Sequence, residues 1–208
     1  MARLYRHEVL IVDDDAAIRD IFTLMLQRAG YEVRSAVDGF DALACLKAKV
    51  PDLLISDLEM PQMSGFELLS VVRRRFPQIP VMAMSGAYHS DCAIPGGVIA
   101  DCFYDKGQGS PQDLLKMVAG LAANAASHAQ DHERRSAPVW IPRNGNNVQG
   151  VSHVMVNCTE CLRSFPLQVA KEHLHKIQDT TCLFCHSSVQ YVIDISLRAA
   201  SPQPLGDV

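Results

Sequence analysis

The chain has 208 residues and a formal net charge of −4, and its composition is 48% hydrophobic and 20% charged. Such a composition is ordinary for a soluble globular protein, and the small negative charge provides no long-range attraction to nucleic acid or to an anionic membrane. The apolar runs fall short of the roughly 20 residues that cross a bilayer, and the amino terminus lacks the apolar core of an export signal. We therefore expect a cytoplasmic protein with no membrane partner.

Between residues 9 and 126, short apolar runs alternate with segments whose apolar residues recur at helical spacing. The predicted strands occupy residues 9–12, 31–36, 53–56, 81–84 and 99–104. The predicted helices begin near Ile18, Asp41, Ser64 and Ser110, and the last opens with a serine cap followed by a proline. Strands that are almost wholly apolar and alternate with helices predict an α/β fold with a doubly wound, five-stranded parallel sheet.

The composition changes after this region. Residues 124–150 are rich in charged residues, proline, asparagine and glycine and lack apolar periodicity, so they predict a fraying helix end followed by a linker. Residues 151–198 contain two Cys-x-x-Cys pairs, and residues 199–208 are predicted to be a disordered tail. The sequence thus predicts one domain over residues 7–123, a linker and a small cysteine-containing module.

Polar side chains follow four of the predicted strands at the point where each strand ends. Asp13 and Asp14 follow the first strand, Asp57 the third, Ser85 the fourth and Lys106 the fifth. In a doubly wound sheet these positions meet at one edge, where ligands bind. Carboxylates that lie so close repel one another unless a cation joins them, and Mg²⁺ prefers such oxygen ligands. A hydroxyl and an ammonium group beside them can receive the oxygens of a phosphoryl group.

Four separated segments resemble, in the right order, the receiver domain of two-component response regulators. They are Leu10–Asp14, Pro51–Gly65, Met82–Gly86 and Phe103–Lys106. Each segment alone is a weak signal, but four in register over residues 9–121 are specific. The resemblance implies a flavodoxin-like fold and a signalling protein rather than an enzyme.

The resemblance also implies a role for each residue of the acidic edge. Asp57 would be the nucleophile that accepts a phosphoryl group from a sensor histidine kinase or a phosphotransfer protein. Asp57 and Asp14 would bind Mg²⁺ together with the backbone carbonyl of Glu59, and Asp13 would act largely through water. Lys106 would pair with Asp57 or with its phosphate.

Two further residues would form the conformational switch of the family. Ser85 would move toward the phosphoryl group, and Phe103 would change its rotamer with it. Asp15, by contrast, is expected to act only as a helix cap. The acidic Glu59 beside the metal is expected to alter the lifetime of the phosphoryl group.

Besides the acidic Glu59, the sequence departs from the family pattern in two places. Gly107 follows Lys106 where the family has proline, and because a cis bond without proline costs about 3 kcal/mol, the peptide bond between them is expected to be trans. The segment Ala87–Val98 is a full helix in the family, but here it contains Pro95-Gly96-Gly97, which should break or shorten that helix. This region contributes to the partner-facing surface in the family.

Four of the seven cysteines form two close pairs near the carboxyl end. Cys158 and Cys161 form the first pair, Cys182 and Cys185 form the second, and twenty residues separate the pairs. In a reducing compartment this spacing favours a metal over disulfides, and the four thiolates complete the tetrahedral ligand set of a structural Zn²⁺ site. Rubredoxin-like iron would use the same four ligands. A redox dithiol would need only one pair, and haem attachment would need export.

The surroundings of these pairs resemble a zinc ribbon. Residues 151–157 and 189–195 predict strands, and residues 167–177 show a short helical pattern. A module of this size cannot fold on its own apolar core, so the metal is expected to hold it together.

The output of the cysteine module belongs to one of two classes. Over residues 151–198 basic side chains are offset by acidic ones, and no helix-turn-helix pattern is visible. We therefore favour a module that binds a protein target and changes its docking on phosphorylation, over a transcription regulator whose module binds DNA. No nucleophile, base or phosphate-binding loop in this half supports an enzymatic output.

Overall fold

Three strands in the first half of the chain are buried at every residue. A computed structural model describes residues 6–86, 100–131, 138–141, 146–148, 151–168, 174 and 176–193. The fully buried strands are β1 (Glu8–Val12), β3 (Leu53–Asp57) and β4 (Val81–Ser85). Two further strands and four helices complete this half: β2 (Glu32–Ala36), β5 (Cys102–Asp105), α1 (Ala16–Arg28), α2 (Gly39–Ala48), α3 (Gly65–Arg75) and α4 (Pro111–Asp131).

The five strands are parallel and lie in the order β2-β1-β3-β4-β5. Successive side chains of a strand point to opposite faces, and β1 shows the result. Val9 and Ile11 join an apolar cluster with α1 and α4, whereas Leu10 and Val12 join a second cluster with α2 and α3. Helices therefore cover both faces, and the predicted doubly wound, flavodoxin-like sheet is confirmed.

Polar residues fix the starts of the helices. The carboxylate of Asp15 accepts hydrogen bonds from the backbone N–H groups of Ala17 and Ile18, so it caps α1 as predicted. Ser64 and Glu67 form a reciprocal capping box at the start of α3. Such caps satisfy N–H groups that have no partner inside the helix.

Some predicted boundaries differ from the observed ones. β5 begins at Cys102 rather than at residue 99, and the carboxylate of the preceding Asp101 accepts the backbone N–H of Val81. α4 continues to Asp131, well into the predicted linker. The segment Ala87–Val98, where a broken helix was expected, lies outside the described residues. No helix in the described part of the chain is long and apolar enough to cross a membrane.

The C-terminal half forms two small three-stranded sheets. Its strands are β6 (Val139–Ile141), β7 (Asn146–Val148), β8 (Val151–Asn157), β9 (Ser164–Gln168), β10 (Ile177–Thr181) and β11 (Ser188–Ile193). One sheet has the antiparallel order β7-β8-β9. In the other, β11 pairs with β10 in antiparallel fashion and with β6 in parallel. This half is rich in strands as predicted, but β6 and β7 come from residues that were predicted to be linker.

The helical pattern predicted over residues 167–177 is wrong at both ends. Leu167 belongs to β9, and Ile177 begins β10. Phe165 of β9 is buried opposite Val156 of β8, so a strand places it in the module core. Pairing with β8 thus overrides the local helical spacing. Residues 169–173 and 175, and the predicted tail over 199–208, lie outside the described residues.

Candidate functional site

The carboxyl ends of four strands form one edge of the large sheet, and each end carries a polar residue. Asp13 follows β1, Asp57 and Ser85 end β3 and β4, and Lys106 follows β5. The parallel register places Ser85 opposite Asp105, and the backbone N–H of Lys106 donates to the carbonyl of Ser85 at 2.9 Å. Pairing of the strand backbones therefore fixes the Cα positions from which these side chains extend.

Lys106 joins two of the carboxylates. Its Nζ lies 2.6 Å from Oδ2 of Asp13 and 2.9 Å from Oδ2 of Asp57. Asp13 is fully buried, Asp57 is 6% exposed, and the side chain of Lys106 is 15% exposed. Solvent screens ion pairs in such a buried environment much less than it screens those on the surface. The structure thus gathers Asp13, Asp57 and Lys106 into one pocket.

Asp14 stands at the exposed rim of this pocket. One carboxylate oxygen from each of Asp13, Asp14 and Asp57 lies within 4.8 Å of the others. Oδ1 of Asp57 is buried, and no described residue gives it a hydrogen bond. A buried carboxylate oxygen without a partner is costly unless a donor or a cation satisfies it. Three clustered carboxylates with one such oxygen fit a small, hard divalent cation.

Burial and nearby charge set the protonation of the pocket. Burial raises the pKa of Asp57 to about 6; the Lys106 ammonium opposes this shift, and the Asp13 carboxylate adds to it. Burial alone would lower the pKa of Lys106, but its bonds to the two carboxylates raise that pKa overall. Lys106 is therefore charged. The charged form of Asp57 is disfavoured, and a cation bound beside the carboxylate would stabilise it.

Three other predicted residues surround the pocket. Glu59 lies exposed two residues beyond β3, and its backbone N–H opposes the rise in the pKa of Asp57. Ser85 is fully buried at the end of β4. Phe103 of β5 is half-buried and packs against the apolar cluster under α2 and α3. The roles assigned to these residues remain predictions.

The loop after Lys106 depends on a residue that the sequence reasoning missed. The carboxylate of Asp105 accepts hydrogen bonds from the backbone N–H groups of Gly107, at 2.7 Å, and Gln108, at 3.1 Å. The described residues contain no cis peptide bond, which agrees with the trans bond expected after Lys106. An aspartate two residues before a glycine is the turn signal that identifies this loop. Asp105 therefore fixes the backbone of the loop that directly follows Lys106.

Gly65 brings α3 directly against β3, the strand that ends at Asp57. Its N–H donates to the carbonyl of Leu58 at 3.0 Å. A Cβ atom at this position would lie 1.9 Å from the backbone oxygen of Asp57. Only glycine permits so close an approach, so α3 begins in contact with the residue that the pocket is built around.

The four paired cysteines converge in the C-terminal half. Sγ of Cys158 lies 3.6 Å from Sγ of Cys185, Sγ of Cys161 lies 3.7 Å from Sγ of Cys182, and all four sulfurs lie within 4.8 Å of one another. All four are free thiols. A tetrahedral zinc site with Zn–S bonds of about 2.3 Å needs sulfurs about 3.8 Å apart. The observed spacing fits that site.

The two cysteine pairs lie in backbone turns of the same shape. In each pair the N–H of the first cysteine donates to the carbonyl five residues later, and its carbonyl accepts from the N–H four residues later. The residue after the second cysteine, Leu162 or His186, has a positive φ of 55° or 61°. Non-glycine residues adopt this region uncommonly. Its repetition indicates two matched turns that present paired thiols to one point.

Comparison with known proteins addresses the first half of the chain. The model of the response regulator receiver domain family matches residues 9–98. The DNA-binding transcriptional regulator NtrC of Klebsiella pneumoniae is 34% identical over 137 residues, which is 64% of this chain and 28% of NtrC. The chain thus spans little more than a quarter of the length of this relative.

Solved structures agree with the family match. The chemotaxis protein CheY4 of Vibrio cholerae is 34% identical with a TM-score of 0.52, and the match covers 56% of this chain and 99% of CheY4. The response regulator TrrA of Thermotoga maritima, solved in complex with Mg²⁺ and BeF, is 30% identical with a TM-score of 0.51, covering 55% of this chain and 98% of TrrA. The first half of the chain belongs to the response regulator receiver domain family.

Proposed function

We propose that the chain is a cytoplasmic response regulator of a phosphorelay that accepts a phosphoryl group on Asp57 from a sensor histidine kinase or a phosphotransfer protein. The observation that carries this proposal is the buried pocket in which Lys106 bonds to Asp13 and Asp57 while Oδ1 of Asp57 has no described partner. Membership of the receiver family supports the same reaction.

Asp13, Asp14, Asp57 and the backbone carbonyl of Glu59 would hold Mg²⁺. When bound, the ion neutralises charge on the carboxylates and on the incoming phosphoryl group. The geometry of the carboxylate cluster supports this assignment, and TrrA, a relative with the same fold, was solved with Mg²⁺.

The residues of this chain would carry out the transfer by position and charge. An oxygen of the Asp57 carboxylate attacks phosphorus and forms the O–P bond, while the N–P bond to the donor histidine breaks and its electron pair returns to the imidazole. The ammonium of Lys106 and the hydroxyl of Ser85 would receive oxygens of the transferred group. The chain itself is proposed to act as an acceptor and a switch, without an enzymatic output.

Intact-mass spectrometry of the full chain with acetyl phosphate and Mg²⁺ tests the proposal. The wild-type chain is expected to gain the mass of one phosphoryl group, and Asp57→Asn is expected to gain none. Omission of Mg²⁺ serves as the control and should abolish the gain. A wild-type chain that gains no mass, with a cognate kinase failing as well, would contradict the proposal.

We further propose that the four cysteines hold Zn²⁺ in a structural, ribbon-like site. The sulfur spacing and the two matched turns support this assignment. Elemental analysis of the purified chain should find about one zinc per chain and close to none in Cys182→Ser. Iron in place of zinc would identify a rubredoxin-like site, and the absence of any metal would refute the assignment.

The output of the module is proposed to be binding of a protein target. The near balance of charges over residues 151–198 supports a protein rather than a nucleic acid. Binding of DNA is the second candidate. The similarity of the chain to NtrC, a DNA-binding transcriptional regulator, supports it. Titration of the full chain with random duplex DNA at two salt concentrations separates them, since DNA binding would weaken steeply with salt.

A further inference from the structure

Helix α3 is buried on all sides along most of its length. Each of the nine residues from Gly65 to Arg73 is buried, including the polar residues Glu67, Ser70 and Arg73. A helix on the surface of a sheet buries one stripe of side chains and exposes the opposite stripe. Burial around the whole circumference means that another layer covers the side of α3 that faces away from the sheet.

Strand β6 is part of this covering layer. It lies against α3, and its residues Val139 and Ile141 are fully buried. The same strand pairs with β11, with Val139 opposite Tyr191 and Ile141 opposite Ile193. One short strand thus belongs to the sheet of the cysteine module and also lies on a helix of the receiver domain.

A continuous apolar cluster connects the two parts of the chain. It includes Leu69 and Val72 of α3, Ile141 of β6, and the cysteines Cys158 and Cys182. All five residues are fully buried. Because such interiors are close-packed and transmit strain, loss of order at the cysteines extends to the packing around α3.

Both ends of α3 are attached to strands that lead to the acidic pocket. At the amino end, Gly65 bonds to Leu58, the residue next to Asp57. At the carboxyl end, Arg73 forms a buried ion pair of 2.6 Å with Asp101, which precedes β5 and the pocket lysine. Order in α3 therefore affects the backbone on two sides of the pocket.

We propose that the four-cysteine module is a cap on α3, and that metal bound at the cysteines strengthens the binding of a phosphoryl group in the acidic pocket. This inference rests on the proposed function, because it presumes both sites. With the module folded, α3 and the β3–α3 connection are already ordered, so ligand binding at Asp57 carries a smaller entropic cost. Linkage makes the effect reciprocal: a phosphoryl group in the pocket raises the metal affinity of the cysteines by the same factor.

The first test compares the full chain with metal at the cysteines and without it. The probe is beryllofluoride with Mg²⁺, a phosphoryl analogue, and its affinity is measured by calorimetry on zinc-loaded protein and on protein stripped with a zinc-selective chelator. Stripping is expected to weaken beryllofluoride binding about tenfold. An affinity unchanged within about twofold, or increased, would overturn the proposal.

The failures of the two proposals can be told apart. If beryllofluoride binds neither the zinc-loaded nor the stripped protein, both the phosphoacceptor function and the coupling are wrong. If the purified chain contains no metal, only the zinc assignment is wrong. The second test then decides whether the module acts on the pocket through α3.

The second test distinguishes the effect of the contact between β6 and α3 from the effect of the metal. Ile141→Asp places a carboxylate in the buried strand that lies on α3, whereas Ile177→Asp places the same group on the same sheet at a residue that is 62% exposed. Amide hydrogen exchange and beryllofluoride affinity are measured for both variants, and slow exchange in β1 confirms that the receiver sheet is folded.

Ile141→Asp is expected to speed exchange across α3 and to weaken beryllofluoride binding about tenfold, and Ile177→Asp is expected to change neither. Unaltered exchange in α3 of the Ile141→Asp variant would overturn the proposal. Equal effects of the two variants would also overturn it.

Discussion

At the scale of single residues, Asp57 carries a charge that the cation-free fold disfavours, because the carboxylate is buried and lies near Asp13. Below its ordinary pKa of 3.8, the carboxyl group is protonated in the folded and the unfolded chain alike. As the pH rises from there to about 6, the unfolded chain releases the proton while the folded chain retains it, so stability falls. Above about pH 6 this loss of stability is complete.

Asp57→Asn is therefore expected to raise the free energy of unfolding of the metal-free protein by about 1–3 kcal/mol at neutral pH, because the amide removes the buried charge. The gain should disappear below about pH 4, where the wild-type carboxyl is protonated in both states. Mg²⁺ should stabilise the wild type and not the variant. Urea denaturation at both pH values measures these differences. A variant that is no more stable than the wild type at neutral pH would contradict the raised pKa of Asp57.

Gly65→Ala tests the close contact between α3 and β3, the strand that ends at Asp57. Because the added Cβ would lie 1.9 Å from the backbone oxygen of Asp57, the helix must shift, at a cost of about 1–3 kcal/mol or more. Phosphorylation by acetyl phosphate should slow as well. The matched control is Gly120→Ala in α4, where nothing lies within 4 Å and a gain of about 0.5–1 kcal/mol is expected. Equal effects of the two changes on stability would exclude the contact.

At the scale of the elements, α3 is held to the edge of the sheet by a buried ion pair. Nη2 of Arg73 lies 2.6 Å from Oδ2 of Asp101, and the same oxygen accepts the backbone N–H of Val81 at 2.7 Å. A buried pair of this kind adds little net stability over an apolar pair, but removal of one partner leaves an uncompensated buried charge. The pair therefore fixes the position of α3 rather than strengthening the whole fold.

Arg73→Met is expected to lower the free energy of unfolding by about 3 kcal/mol, because it leaves the Asp101 carboxylate buried without its cation. Lys116→Met is the control, since its pair with Asp113 spans 3.7 Å between largely exposed side chains and should contribute almost nothing. Thermal and urea denaturation compare the two variants. A loss in Arg73→Met as small as that in Lys116→Met would show that Asp101 remains solvated.

At the scale of the whole molecule, one apolar cluster runs from the receiver sheet through α3 to the cysteines. The metal-loaded chain is therefore expected to unfold in one transition, because neither half can open without exposing buried side chains of the other. Circular dichroism of the helices and release of the metal to a colour indicator should give the same midpoint. Metal release at a clearly lower temperature would indicate a module that unfolds on its own.

The local signals in the sequence were sufficient for the sheet and for much of the pocket. Strands that are apolar at every position predict burial on both faces, and their carboxyl ends place Asp13, Asp57 and Lys106 at one edge in any doubly wound sheet. The two Cys-x-x-Cys pairs likewise predict a shared site, because each short turn presents two thiols regardless of what surrounds it.

The sequence by itself thus determined the parallel sheet and which residues line its edge, since both follow from periodicity and chain order. Only the tertiary structure decided that β6, within the predicted linker, pairs with β11 and lies on α3, and that Leu167 belongs to a strand. For β6 the physical reason is that a strand of three residues has no periodicity of its own. Its conformation depends on partners far away in the sequence, and the cover that it gives α3 depends on packing that no local pattern records.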